Sequence, residues 1–327
     1  MIVPQYWAEA RLQRPRSQGQ GQVTVRRFGW SDTSPAEAQR LAENRVREAF
    51  DRILSGEKLD RREPKVAYNG AQGVPIREEV LARHGDVVIT RNAYGAQCLN
   101  TPDVLFADID FDEPIGCGPI ALAALVLLGA AVGAGAMLES VKVALVGGLV
   151  ALLLAYPLAT RLRAVATRLK GGPERRARAA AETLARRHPG ARLRLYRTPR
   201  GLRVMAVHRT FDPTSEEVAA WFQHLGVDRI YARMSRHQHC FRARLTAKPW
   251  RIGLPRHMPP RPGTWPVNPE RMPDRRNWVL NYEAVAVNFA ACAFVGELGD
   301  GPVDPKAAAV RDLHDQLSQA LSGRTLA

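Results

Sequence analysis

The chain has 327 residues, with 47 Lys plus Arg against 32 Asp plus Glu, a formal charge of +15 with His neutral. That length allows about two domains, and 46% hydrophobic with 24% charged residues is enough to bury a core rather than stay disordered. The charge excludes a neutral cytosolic surface, and the mean hydropathy of −0.24, ordinary for a soluble protein, averages over a local extreme.

Residues 22–30, QVTVRRFGW, alternate as a strand does. SDTSP follows with helix-start chemistry: Ser34 as N-cap, Pro35 at the first helical position and Glu37 three after the cap. The helix is expected to run to about Leu54, where Ser55-Gly56 ends it. A short strand, KVAYN (65–69), a helix over residues 75–83 and two β-rich runs, DVVITRNAYGAQCLN and DVLFADIDF, complete a mixed α/β half.

Residues 118–138, GPIALAALVLLGAAVGAGAML, are 21 positions without a charge. After Glu139, Ser140, Val141 and Lys142 comes VALVGGLVALLLAYPLA, a further 17. At 1.5 Å per residue the runs reach about 31 Å and about 25 Å against a hydrocarbon core of about 30 Å, so two spans fit, the second with slight local thinning. Both runs are apolar all round, whereas a core helix of a soluble domain usually keeps one solvated edge. Gly129 with Gly133, and the Gly147-Gly148 pair, are expected to let the two helices approach closely. Residues 161–188 carry eight Arg and one Lys against two Glu directly after the second run, which assigns that side to the cytoplasm. A hairpin returns the chain to its starting side. The expectation is therefore an inner or plasma membrane protein with two spans, both termini cytoplasmic and the lipid bilayer as a partner.

Beyond the hairpin, residues 174–187 are Ala- and Arg-rich and helical, stopped by Pro189-Gly190. ARLRLYRTPRGLRVMAVHRTF reads as a β-hairpin turning at Thr198-Pro199-Arg200-Gly201. A helix over 214–225 capped by Asp212 or Thr214, a β-rich stretch over 228–253 and a long loop over 254–276 with seven prolines come next. Residues 282–295 are apolar without a diagnostic period, and 305–321 read as an amphipathic surface helix. The expected fold class is α+β, a mixed α/β sheet domain with an inserted two-helix transmembrane hairpin. Its parts are residues 1–117, the hairpin 118–159, residues 160–304 and the C-terminal helix 305–327. The first half ends on a strand and the second opens with a helix and a β-hairpin. One sheet is thus expected to take strands from both sides of the insert, as one composite domain.

Four cysteines, Cys98, Cys117, Cys240 and Cys292, stand far apart with no CxxC pair, and MIVPQYWAEARLQRPRS at the N-terminus lacks the apolar core of a signal peptide. A reducing compartment follows, with each thiol expected as a small buried hydrophobe.

Asp108 and Asp110 in FADIDFDEP are the sharpest chemical feature. At i and i+2 on a strand their carboxylates share a face, and a divalent metal such as Mg2+ is the usual compensation for their repulsion. The plainer alternative is a solvated strand end, closed by Asp112 and Glu113. A second set is basic: Arg197, Arg200 and Arg203 around the hairpin turn, then Arg233, Arg236, Arg242, Arg244, Lys248 and Arg251, interleaved with Phe241 and Trp250. Cations suit phosphates and aromatics suit stacked bases. The same surface suits anionic lipid headgroups, or is simply a solvated basic face. His237, His239 and Cys240 lack a second ligand pair at zinc spacing.

A strand ending in DxD, a helix, a β-hairpin with a Gly-containing turn and a further acidic strand resembles the catalytic core of archaeo-eukaryotic primases and primase-polymerases. The resemblance implies divalent metals on Asp108, Asp110 and a later acid, of which Asp228 is the best match. It also implies nucleotide contact at a hairpin position where that family has His and this chain has Arg203. The Arg keeps a phosphate-binding charge but departs from the nucleotidyl-transfer pattern.

Two functions are expected from these features. In the first, a membrane-anchored cytoplasmic domain binds nucleotide or single-stranded nucleic acid. Asp108 and Asp110 would be the catalytic, Mg2+-holding residues of a phosphoryl or nucleotidyl transfer, and Arg200, Arg203, Arg242, Arg244, Lys248 and Arg251 would bind phosphate. In the second, a non-enzymatic two-span protein docks its basic domain on anionic lipid or on a protein partner.

Overall fold

The computed structural model describes residues 1–15, 22–61, 75–111, 116–169, 171–254, 257–261, 263 and 265–327. Strands β1 (Tyr6–Pro15) and β2 (Gln22–Ser31) pair antiparallel, and α1 (Pro35–Leu54) packs on them. Ser34 caps α1 as its sequence predicts, its hydroxyl accepting from the Glu37 backbone N at 3.2 Å. Ala42, Val46, Ala49 and Phe50 recur at helical spacing and pack with Val23 and Val25.

KVAYN lies outside the described residues. The helix expected over 75–83 is instead strand β3 (Glu79–His84), paired antiparallel to β4 (Val87–Arg91), which pairs with β5 (Gln97–Thr101). The helix formers of EEVLARH yield to pairing with the fully buried β4, because local propensity is weak against tertiary context. Strand β6 (Phe106–Asp110) follows, and the chain then enters α2 (Cys117–Met137) and α3 (Val141–Leu169).

After these come α4 (Gly172–Arg187), β7 (Leu193–Thr198), β8 (Gly201–Ala206), α5 (Glu216–Leu225), α6 (Arg229–Gln238), β9 (Phe241–Arg244), α7 (Met272–Ala286), β10 (Ala293–Leu298) and α8 (Pro305–Ser318). One sheet has the order β10-β7-β8-β6 and another β3-β4-β5-β9. Strand β6 precedes the apolar helices and β8 follows them, and the same holds for β5 and β9. Two sheets, not one, are thus completed across the insert. Helices α4 and α5 bury Ala177, Ala181, Leu184, Val218 and Phe222 in one cluster with Ile109, Leu195, Leu202 and Val204.

Several boundaries differ from the sequence reading. Asp228 accepts from the Tyr231 backbone N at 2.8 Å and starts α6 inside the stretch expected to be β-rich, leaving only the short β9 there. Helix α5 is capped by Ser215, which accepts from the Val218 backbone N at 3.2 Å, while Asp212 accepts from Thr214 N in the preceding turn. The proline-rich loop ends early, at the start of α7, and the apolar 282–295 divides between α7 and β10. Helix α8 is more than a surface helix, because Ala307, Val310, His314 and Ser318 face inward.

The apolar helices pack on each other. A Cβ at Gly135 would lie 2.6 Å from the Ala144 Cβ, and one at Gly147 would lie 3.0 Å from that of Ala131. Gly129 and Gly133, expected at this contact, face away: no described atom lies within 4 Å of a Cβ at either. The candidate span in α3, Val141–Ala166, has 26 residues and reaches about 39 Å, with Lys142 near one end and Arg161 and Arg163 near the other, so its uncharged run remains the shorter stretch read from the sequence. Only 17% of either apolar window is buried, with Leu125 71% and Leu145 70% exposed. A soluble core helix would be mostly covered. Cys117, at the head of α2, is exposed, against expectation; Cys98, Cys240 and Cys292 are buried, and all four are free thiols.

Candidate functional site

The β6–β8 register sets Asp108 opposite Arg203 and Asp110 opposite Gly201. Arg203 Nε donates to Asp108 Oδ1 at 2.7 Å, and Nη2 donates to Oδ2 at 2.9 Å. The Arg203 side chain is 2% exposed and that of Asp108 is 32%. Burial works against the Arg203 charge, but Asp108 outweighs it and holds the guanidinium above its ordinary value.

Arg203 Nη1 donates to the Arg244 carbonyl at 3.1 Å and lies 3.2 Å from His314 Nε2. A guanidinium only donates, so Nε2 accepts and the ring proton sits on Nδ1, which donates to Asp315 Oδ1 at 3.0 Å. Asp315 Oδ2 accepts from Arg194 at 2.7 Å, and Arg194 also donates to Glu297 at 2.6 Å. This network ties all four strands of the β10-β7-β8-β6 sheet to α8. Cys292 Sγ lies 3.8 Å from His314 Nε2 and is buried with it, beyond reach of a substrate.

The geometry gives Mg2+ no support. Both Asp108 oxygens are engaged by Arg203, which already supplies the compensating charge expected from a metal. Among the described residues no group of three His, Cys, Asp or Glu side chains is placed to hold a metal ion. Asp228, the later acid, spends its carboxylate on capping α6. His237, His239 and Cys240 form no such group either, and burial pushes the Cys240 thiol up to about 11.

The six cations expected on phosphate divide into two sets. Arg203 and Arg242 are internal: Arg242 is 8% exposed and paired with Glu78, which also accepts from Thr90 Oγ1 at 2.6 Å. Arg200, Arg244, Lys248 and Arg251 gather instead around the end of β6. Arg200 occupies the β7–β8 turn, and its carbonyl accepts from the Phe111 backbone N at 2.9 Å. A Cβ at Gly201 would lie 2.1 Å from the Ile109 carbonyl oxygen, so Gly there lets the turn close against β6.

Burial pushes Lys248 below the ordinary lysine range, and Arg244 and Arg251 add to the shift; Asp110 acts in the opposite sense. Burial, Arg244 and Arg200 likewise lower Arg251. Among the described residues Arg244, Lys248 and Arg251 make no ion pair, and Arg251 Nη1 is buried without a hydrogen-bond partner. Trp250 is 48% exposed beside them, with Lys248 Nζ 5.5 Å above its ring and Tyr94 edge-on at 5.3 Å. Chemically, this cluster suits an anion with an aromatic group attached.

Sequence reasoning missed Tyr94, Glu78, His314 and Asp315. Tyr94 carried a signal, since NAYG between two alternating runs marks a turn. There Asn92 Oδ1 accepts from the Tyr94 and Ala96 backbone N at 3.2 and 3.1 Å. The chain matches no protein-family model, no curated protein and no solved structure.

Proposed function

We propose that this is a membrane-anchored protein whose cytoplasmic domain binds a nucleotide unit, free or within a single strand, at Arg200, Arg244, Lys248 and Arg251. Trp250 offers the base a stacking face. One observation carries the reading: Arg244, Lys248 and Arg251 stand together without an ion pair among the described residues, Lys248 and Arg251 at the expense of their own basicity, beside an exposed indole. Like charges held close in the absence of ligand are relieved by an anion. Insertion of α2 and α3 into the bilayer is supported by their length and their uncovered apolar surface. The basic run after α3 supports the cytoplasmic placement of both flanking parts in an inner or plasma membrane. Binding without phosphoryl transfer is proposed, because Asp108 is committed to Arg203.

The test uses the full chain in nanodiscs. Its thermal unfolding is followed with ATP, a thymidine oligonucleotide or inorganic phosphate, each with and without Mg2+. ATP or the oligonucleotide is expected to raise Tm without needing Mg2+, since ligand at 100 times Kd stabilises by about 2.7 kcal/mol. Lys248→Ala with Arg251→Ala is expected to remove most of the shift. No shift with either ligand, or an equal shift in the double variant, overturns the reading.

A further inference from the structure

Helices α5 and α6 border a groove of about 980 Å3, at the upper end of the 300–1,000 Å3 common for ligand sites. Val218 and Phe222 of α5 give it an apolar lining, and Arg229, Arg233 and Arg236 of α6 give it a cationic one. Spacings of four and three residues bring these arginines onto one helix face. Arg229 and Arg233 make no ion pair among the described residues, whereas Arg236 meets Glu216 at 3.0 Å. Ile230, on the same helix and also lining the groove, is 67% exposed despite being apolar.

The groove's position identifies its occupant. Gly116, the N-cap of α2, lines it together with Asp110, the last residue of β6. It therefore opens where the chain passes from the sheet into the apolar hairpin. With the hairpin inserted, that is the level of the lipid headgroups. A cationic rim, an apolar lining and an exposed Ile match an amphiphile with an anionic head, and guanidinium is the side chain best shaped for phosphate. Asp228, the other acid among the described groove residues, is occupied in capping α6.

We infer that the α5–α6 groove docks an anionic phospholipid of the membrane that holds the hairpin, with Arg229 and Arg233 on its phosphate and Ile230 entering the acyl boundary. The inference rests on the membrane insertion proposed above and is independent of the nucleotide cluster.

The test places a polarity-sensitive dye on Gln223→Cys, a groove residue, in the full chain carrying Cys117→Ser. The chain is incorporated into nanodiscs of phosphatidylcholine alone or mixed with phosphatidylglycerol, and co-elution with the discs reports insertion. Dye emission is expected to shift to the blue in the anionic discs only, to return toward the neutral-disc value at high salt, and to stay unshifted when Arg229→Gln and Arg233→Gln are present. Glycerol 3-phosphate added to neutral discs is expected to leave emission unchanged. A chain that inserts but emits alike in both discs, or whose double variant behaves as the parent, overturns the lipid site and leaves the membrane reading intact. An equal response to soluble glycerol 3-phosphate overturns the lipid as source. A chain that does not co-elute with the discs overturns both.

Discussion

Arg203 holds Asp108 through two parallel hydrogen bonds, Nε to Oδ1 at 2.7 Å and Nη2 to Oδ2 at 2.9 Å, across the β6–β8 pair. The acid that looks most like a metal ligand in the sequence is the counter-ion of a buried arginine. Asp108→Asn therefore leaves Arg203 charged and 2% exposed without its partner. Breaking a buried pair costs about 3–5 kcal/mol, and the 32% exposure of Asp108 points to the lower end. Denaturant unfolding of the full chain in detergent checks this. A carboxylate kept for metal would give unchanged or increased stability on neutralisation, and that result would remove the structural role.

Lys248 sets a pH dependence. Its folded value lies below the ordinary 10.5, chiefly through burial and then through Arg244 and Arg251. Between the folded and the ordinary value the unfolded chain keeps a proton that the folded chain has released, so stability rises with pH across that window. Anion affinity runs the other way, complete below the folded value and lost as pH rises through it. Lys248→Arg is expected to hold phosphate affinity to higher pH than the parent, as read by titration calorimetry. Superimposable alkaline limbs would remove Lys248 from the site.

Trp250 separates base from phosphate. Trp250→Ala is expected to weaken oligonucleotide binding by about 1–3 kcal/mol per stacked base, roughly 5- to 150-fold, and to leave inorganic phosphate binding unchanged. An equal loss for both ligands would assign Trp250 to packing rather than stacking.

Gly201 places Arg200. A methyl at this position meets the Ile109 carbonyl at 2.1 Å, a backbone atom that cannot turn aside as a flexible side chain could. Gly201→Ala is expected to destabilise by about 1–3 kcal/mol and to weaken anion binding as the turn lifts from β6. Unchanged thermal unfolding would show that the strands have room to separate.

The apolar helices make a paired prediction. Gly135→Val forces a side chain into Ala144, where a Cβ already stands at 2.6 Å, and is expected to loosen the α2–α3 packing by about 1–3 kcal/mol. Gly133→Val meets open space and is expected to leave it unchanged. Cysteine cross-linking between α2 and α3 in nanodiscs reads both, and equal effects would place the contact elsewhere.

Elements whose cause is local were legible in the residues themselves. The uncharged runs at 118–138 and 143–159 became helices because apolarity and length need no partner to be read. The Ser34 cap and the turn at Pro199-Arg200 also followed from residues within a few positions. Asp228 carried a cap signal that the β-forming Ile230 and Tyr231 obscured. Tertiary structure decided β3, where pairing with β4 overrode helix-forming residues. It also decided which charges face a ligand. Asp108 and Arg203 are 95 positions apart, and Glu78 and Arg242 are 164 apart, so no local pattern announces that these pairs cancel. Charge type is written in the sequence, whereas whether a charge is free or neutralised depends on its neighbours in space. Here the fold withdrew Arg203 and Arg242 into ion pairs and left Arg244, Lys248 and Arg251 without one among the described residues.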